Sequence, residues 1–174
     1  TSWPATETSD AIIAYDMNTG ARRWVFQATK ADIWNYACGR RGANCDWPGE
    51  YQSPDHDFGA TPMLITRKDG KDMVVAGQKS GVLWALDPDT GKLIWSNKIG
   101  RGSAGGGMRW GLAFDGERIF APQNDPPAPG GVVDNPNWGV GLHAVNAMTG
   151  EIEWTYKPNA RDCGQDLPVA VATR

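Results

Sequence analysis

Lys79, Arg109 and the carboxylates on either side of His56 are the side chains of this 174-residue chain with the most chemical promise. A lysine fixed at the end of a strand offers an ammonium that stabilises negative charge developing on a nearby oxygen. Lys79 lies in Gln78-Lys79-Ser80-Gly81, so its other reading is a solvated residue of a hairpin turn. Asp55 and Asp57 flank His56, and Asp32 precedes them. A positioned carboxylate takes a hydroxyl proton as a general base; the competing use of such an Asp is to cap its own loop. Arg109 follows Gly105-Gly106-Gly107-Met108 and precedes Trp110. Its planar guanidinium suits bidentate bonds to a carboxylate. The glycines before it either admit a flat ligand close to the backbone or simply connect two units.

Cys38 and Cys45 lie close together in a polar loop, with Cys163 left over. A short-loop disulfide fits an oxidising compartment. A metal site with His56 is the rival, although the spacing matches no common zinc pattern, and two free thiols are the third alternative. His143 reads as a satisfied or exposed strand residue. No Ser-His-Asp grouping or phosphate-binding glycine loop with a following helix is present. The net charge is -3, and no basic run interleaves with aromatics, which excludes a nucleic-acid partner. The apolar stretches are strand-sized, so none is expected to span a membrane.

The elements that must position these side chains are legible from a repeat. Ala14-Tyr15-Asp16 through Thr19-Gly20 to Trp24 recurs as Ala85-Leu86-Asp87 through Thr90-Gly91 to Trp95. It recurs again as Ala144-Val145-Asn146 through Thr149-Gly150 to Trp154. Each copy reads as a hairpin: a strand, a polar turn closed by Thr-Gly, and a strand carrying Trp. The flat indole suits packing between one unit and the next. Further hairpins are expected over Thr61–Thr66 with Asp72–Gly77, and over Arg109–Phe114 with Arg118–Pro122. The Asp-Gly turns at Asp69-Gly70 and Asp115-Gly116 mark them. Another strand is expected over Leu167–Thr173. Four antiparallel strands per unit, repeated, predict an all-β protein built as a β-propeller. Two long insertions, Lys30–Asp57 and Gln123–Val140, stretch the repeat.

The repeat resembles the tryptophan-docking motif of pyrroloquinoline quinone (PQQ) dehydrogenases, which are eight-bladed propellers. The stretch Asp32-Ile33-Trp34-Asn35, Cys38, Asn44-Cys45 and Pro54-Asp55-His56-Asp57-Phe58-Gly59 is similar to their polyvinyl-alcohol-dehydrogenase-like branch. The resemblance implies roles. Gln78-Lys79-Ser80-Gly81 resembles the segment whose lysine lies against the quinone oxygens. His56-Asp57-Phe58-Gly59 resembles the segment carrying the general base. Asn35 stands at the other place where that base would fall, so Asp57 is the expected base, with Asp32 and Asp55 as runners-up. Gly105-Gly106-Gly107-Met108-Arg109-Trp110 resembles a cofactor-contacting segment, with Arg109 where Asn is more usual.

The expected protein is therefore part of a periplasmic PQQ-dependent dehydrogenase oxidising primary or secondary alcohols, polyvinyl alcohol among them. Asp57 and Lys79 are its expected catalytic residues, and Lys79, Arg109 and Trp110 are expected to bind PQQ. A Ca²⁺ or lanthanide ion is implied, with ligands mostly outside this chain, and cytochrome c or another carrier would accept the electrons. The chain is expected to hold about two complete blades and two partial ones. The competing expectation is a non-catalytic propeller scaffold of the cell envelope, in which the repeats serve blade packing alone.

Overall fold

The computed structural model describes residues 6–32, 34, 54–125 and 139–158. Ten strands run through them: β1 (Ala11–Tyr15), β2 (Arg22–Gln27), β3 (Met63–Thr66), β4 (Asp72–Gly77) and β5 (Val82–Leu86). There follow β6 (Leu93–Lys98), β7 (Ala113–Phe114), β8 (Arg118–Gln123), β9 (Gly141–Asn146) and β10 (Ile152–Tyr156). Strands β3 to β6 form one four-stranded sheet, β7 to β10 form a second, and β1 with β2 forms a two-stranded sheet. All pairings are antiparallel and follow chain order, so each sheet is a meander, the form of a propeller blade. Among the described residues no helix is long and apolar enough to cross a membrane.

Alternation along β4 shows why the sheets stack. Met73 and Val75 join a core with Ile119, Ala121 and Val145 of the β7–β10 sheet. Val74 and Ala76, on the other face, pack with Ile12, Trp24 and Phe26 of the β1–β2 sheet. Side chains of a strand point alternately to its two faces, so a strand apolar on both faces is sandwiched between neighbours. Phe26 and Trp84 meet edge to face across that second interface, with centroids 5.2 Å apart.

The repeated turns are built alike. Asp16 Oδ1 accepts from Asn18 N (3.1 Å), Thr19 N (2.9 Å) and Thr19 Oγ1 (3.0 Å). Asp87 Oδ1 does the same for Asp89 N, Thr90 N and Thr90 Oγ1, at 3.1, 2.8 and 2.7 Å. Asn146 Oδ1 holds Met148 N and Thr149 N at 2.9 and 3.2 Å. The tryptophans join one repeat to the next. Trp24 lies against Gly91 and donates from Nε1 to Pro88 O at 2.8 Å. Trp95 lies against Gly150 and donates to Ala147 O at 3.1 Å. The expected inter-blade role of the indole is met at both junctions.

One expected strand is much shorter than its sequence suggests. Of Arg109–Phe114, only Ala113–Phe114 pairs with β8. Met108 is fully buried in the core and Gly107 bridges Asn124, which holds the chain before β7 as a loop. Arg109 and Trp110 are left exposed. Cys38, Cys45, Cys163, Asn35, the strand expected over Leu167–Thr173 and most of the second insertion lie outside the described residues.

Candidate functional site

Antiparallel order puts the docking turns at one end of the sheets and a group of charged side chains at the other. The β4–β5 turn carries Lys79 there. Gln78 N donates to Val82 O (3.1 Å) and Gly81 N to Gln78 O (3.0 Å), which closes the turn. Gln78 is fully buried and anchors it further: its Nε2 donates to Thr29 Oγ1 (2.9 Å), and its Oε1 accepts from Ser80 Oγ (2.6 Å) and Trp84 Nε1 (3.2 Å). The segment before β3 crosses this turn, with Lys79 N donating to Asp57 O at 3.0 Å.

Side chains complete the contact. Lys79 Nζ donates to Asp57 Oδ2 at 2.7 Å and to Asp55 Oδ1 at 3.1 Å. The Lys79 and Asp55 side chains are 11% and 7% exposed, whereas that of Asp57 is 51% exposed. The cation is therefore bound inside by one carboxylate and reaches solvent through the other. Asp32 is buried and serves a different end. Its Oδ2 accepts from His56 N (2.7 Å), and its Oδ1 accepts from Trp34 N (3.2 Å) and Asp55 N (3.4 Å). That ties the two ends of the first insertion together and gives Asp32 a structural use as a loop anchor. The non-glycine residues with positive φ among those described are Asp10 (+44°), Ala31 (+61°) and Asp55 (+61°), all in this cluster. Backbone strain held by its surroundings gathers at functional sites.

The electrostatics follow from one cation among several carboxylates. Burial works to raise Asp57, but its bonds with Lys79 and Asp10 outweigh burial and hold it below the usual carboxylate range. Burial raises Asp55, and contact with Asp57 adds to this against the pull of Lys79. Burial lowers the Lys79 ammonium, and its bonds to Asp57 and Asp55 more than restore it, leaving it raised. Burial also lowers the His56 imidazole. Asp10, which directly precedes β1, is raised to about 8 by burial, by a hydrogen bond with Asp57 and by the charges of Asp32, Asp57 and Asp55.

The glycine-rich loop after β6 packs onto Lys79 itself. Ser103 N donates to Lys79 O (3.1 Å) and Met108 N to Gln78 O (3.2 Å). A Cβ on Gly107, at φ +74°, would run into the Lys79 backbone. The need for glycine there is close approach to a neighbouring turn, whatever ligand lies beyond. Asp125 fixes the same loop from the next sheet: its carboxylate accepts from Arg101 N (2.8 Å), Gly102 N (2.9 Å) and Gln123 Nε2 (2.5 Å).

The structure thus brings Asp57 and Lys79 together and adds Asp55. Arg109 lies at the same end, since a Cβ on Gly59 would meet Arg109 Cα at 3.2 Å. Its Nη1 donates back to Gly105 O at 3.3 Å, so this bond holds its own loop. The Trp110 indole is 54% exposed. His143 is buried, with Nε2 on Gly139 O (3.1 Å) and Nδ1 on Thr155 Oγ1 (3.0 Å), so it is the satisfied strand residue of the two alternatives rather than the exposed one. Asp10 and Asp125 escaped sequence reasoning. Neither belongs to a repeat, and an acidic residue at a strand boundary carries no signal of its partner.

No group of three or more His, Cys, Asp or Glu among the described residues is arranged to hold a metal ion. The described residues by themselves therefore do not constitute the implied Ca²⁺ or lanthanide site. They fit a quinone better: a fixed ammonium, a half-exposed carboxylate beside it and an exposed indole at the same end.

The family described as outer membrane protein assembly factor BamB, of the PQQ_2 type, matches residues 5–107 and 79–172. A polyvinylalcohol dehydrogenase of a Pseudomonas species is 35% identical over 158 residues, 90% of this chain and 23% of the relative. That of Sphingopyxis sp. strain 113P3 is 36% identical over 154 residues, 86% of this chain and 22% of the relative. A glycerol dehydrogenase large subunit of Gluconobacter thailandicus is 35% identical over 88 residues, 51% of this chain and 10% of the relative. The crystal structure of BamB from Moraxella catarrhalis superposes with a TM-score of 0.48 at 14% identity, covering 86% of this chain and 31% of that one. The chain thus spans under a quarter of the length of the polyvinylalcohol dehydrogenases it matches. With three docking repeats, blade-like meanders, the family match and the polyvinylalcohol dehydrogenase relatives, the chain belongs to the PQQ_2 family of propeller repeats, on its PQQ-dependent-dehydrogenase-like side.

Proposed function

We propose that this chain forms part of the catalytic propeller of a periplasmic PQQ-dependent dehydrogenase that oxidises primary or secondary alcohols, polyvinyl alcohol being one candidate. The observation that supports it most is the 2.7 Å contact between Lys79 Nζ and the half-exposed Asp57 carboxylate, at the end of the sheets opposite the docking turns. A blade-packing scaffold does not require Lys79, Asp57 and Arg109 to gather at one end.

Bound PQQ would supply the quinone that accepts the hydrogen and electrons of the alcohol. In this reading Asp57, ionised at neutral pH, takes the hydroxyl proton on its half-exposed carboxylate. Lys79 keeps Asp57 ionised and oriented. Two of its three donors go to Asp55 and Asp57, and the third serves a ligand oxygen that gains negative charge. Arg109 and Trp110 supply a guanidinium and an aromatic face for a planar polycarboxylate. The Ca²⁺ or lanthanide would be held mostly by residues outside this chain, and cytochrome c or a similar carrier would take the electrons.

The test reconstitutes the full-length native protein with PQQ and Ca²⁺ and follows dye reduction by alcohols, with PQQ binding read by absorbance. Asp57→Asn is expected to lower turnover about 10²–10⁴-fold with PQQ binding retained. Absence of both PQQ binding and activity in the unmodified protein would favour the scaffold.

A further inference from the structure

The Lys79 side chain starts from a main chain that is gripped on two sides. On one side Lys79 N donates to Asp57 O at 3.0 Å. On the other, the loop between β6 and β7 lies over the turn: Ser103 N donates to Lys79 O (3.1 Å), Met108 N to Gln78 O (3.2 Å) and Ile99 N to Gly81 O (2.8 Å). The approach is backbone on backbone. A Cβ on Gly102 or Gly107 would run into Lys79 O, and one on Gly81 into Gly100 O. Packing this close transmits displacement, so the turn follows wherever the loop is held.

The loop in turn is held from the other sheet. Asp125, just beyond β8, is 7% exposed, and three N–H groups converge on its carboxylate. Oδ2 accepts from Arg101 N (2.8 Å), and Oδ1 accepts from Gly102 N (2.9 Å) and Gln123 Nε2 (2.5 Å). An acceptor-only group suits such a convergence, and bonds to a charged acceptor are the strong ones. Asn124 adds a bridge to Gly107, with Asn124 N donating to Gly107 O at 3.1 Å. A Cβ on Gly100 would strike Gln123 Nε2, so Gln123 is seated against the start of the loop. The end of β8 thus brackets the loop, and Asp125 grips the two residues before Ser103, whose amide bonds Lys79 O.

We propose that Asp125 is a positioning residue for Lys79: from the β7–β10 sheet its carboxylate holds the 99–108 loop against the β4–β5 turn, and so fixes the direction in which the Lys79 ammonium is offered to a ligand. The use of that direction rests on the reading of Lys79 as the cation for a ligand oxygen; the mechanical link does not. Asp55 and Asp57 take two of the ammonium's three donors. The third is aimed by where the side chain begins, and Asp125 holds that main chain from across the sheet interface. Its carboxylate is occupied by N–H groups of the loop and of Gln123, so its part is to position.

Asp125→Asn is nearly isosteric and sets an NH₂ group against an N–H that needs an acceptor. The first measurement needs no activity: hydrogen exchange of the cofactor-free, full-length native protein. The variant should exchange about tenfold faster at the Ser103, Met108 and Lys79 amides, the scale of one lost bond to a charged acceptor. The amides of Val75 and Ala85, paired mid-strand in the same sheet, should keep their rates. Unchanged exchange at Ser103 and Lys79, or an equal rise at Val75 and Ala85, would overturn the proposal. Should Asp125→Asn lose its cooperative unfolding transition, Asp125→Ser, which keeps one acceptor oxygen, is read in its place by the same criteria.

The second measurement is the split between kcat and KM in the reconstituted enzyme, with kcat counted per bound PQQ. A bond to an oxygen that gains charge belongs to the transition state. A misaimed ammonium should therefore lower kcat about ten- to hundredfold and leave KM for the alcohol unchanged. Unchanged kcat per bound PQQ would overturn the positioning role, since a merely structural clamp alters only how much protein is folded. Exchange that behaves as expected, in a protein whose unmodified form neither binds PQQ nor turns over, would support the mechanical link, overturn its catalytic use and count against the dehydrogenase reading separately.

Discussion

Replacing Gly91 with alanine tests whether the tryptophan contacts hold neighbouring sheets together. A Cβ at Gly91 would stand 2.6 Å from Trp24 Cε3 and 2.7 Å from Cδ2. Carbon atoms pack at about 3.5–4.0 Å, so the indole must move. The φ of +68° costs an L-residue about 1–2 kcal/mol by itself. A displaced indole also gives up the 2.8 Å bond to Pro88 O, worth about 1 kcal/mol. Losing roughly 40–60 Å² of apolar contact at about 25 cal/mol/Å² adds about 1–1.5 kcal/mol. The total is about 3–4.5 kcal/mol. Gly70 provides the control. Its φ is +78°, but a Cβ there meets nothing within 4 Å, so Gly70→Ala should cost only the backbone part. Gly150, whose Cβ would sit 2.6 Å from Trp95 Cε3, should behave like Gly91. Urea unfolding of the native protein followed by far-ultraviolet circular dichroism gives the comparison. Equal losses for Gly70→Ala and Gly91→Ala would show that backbone strain alone explains the repeat glycine, and the docking argument would fail.

Other perturbations probe the charged end and the turns. Lys79→Met leaves Asp55 buried without its cation and is expected to cost about 3–5 kcal/mol near neutral pH, with part recovered in the double variant with Asp55→Asn; a double-mutant cycle measures this, and full additivity would show that the pair does not interact. Asp87, like Asp16, is held below its ordinary range first by the Thr90 hydroxyl and amide, so its stabilisation is present above the ordinary carboxylate pKa and lost as pH falls through the lowered one. Asp87→Asn, which copies Asn146, should therefore flatten the acid side of the thermal-stability profile, and an unchanged profile would contradict the turn assignment. Asp125→Ala removes the acceptor of Arg101 N and Gly102 N and should speed hydrogen exchange at the Ser103 amide, which bonds to Lys79 O; unchanged protection would mean that the loop holds without its clamp.

What could be read in the sequence was what the chain writes locally. The three turns are made by an Asp or Asn bonding amides two and three residues on, so the repeat displays their chemistry directly. The strand boundaries around them fall where the alternation ends. The 109–114 stretch misled because its composition suits a strand, while Met108 packing and the Gly107–Asn124 bridge commit the preceding chain to the Lys79 turn. Asp57 and Lys79 were found by resemblance, since nothing in their spacing predicts that a segment before β3 will cross the β4–β5 turn. Asp10 and Asp125 act across sheets and leave no periodic trace. The loop glycines were legible as a need for close approach, and the surface approached proved to be Lys79.

The two ends of the sheets are mechanically joined, and that bears on the charged cluster. The strand pair β4–β5 carries Lys79 in its own turn, and β5–β6 carries at the far end the Gly91 turn on which Trp24 rests. Asp55, Asp57 and Lys79 all belong to the β3–β6 sheet and the segment that enters it. Asp10 enters from the neighbouring sheet through β1. The separation of Lys79 from Asp57 is thus set within one blade, whereas that of Asp10 from Asp57 is set by the spacing between blades. The Trp24 contact and the Ile12, Phe26, Trp84 and Leu86 packing fix that spacing. A loosened Trp24 should consequently disturb the placing of Asp10 relative to Asp57 before it disturbs the Lys79 ion pairs. Packing between neighbouring sheets then does more than bury apolar surface: it sets how closely the Asp10 strand end stands to the Lys79 cluster.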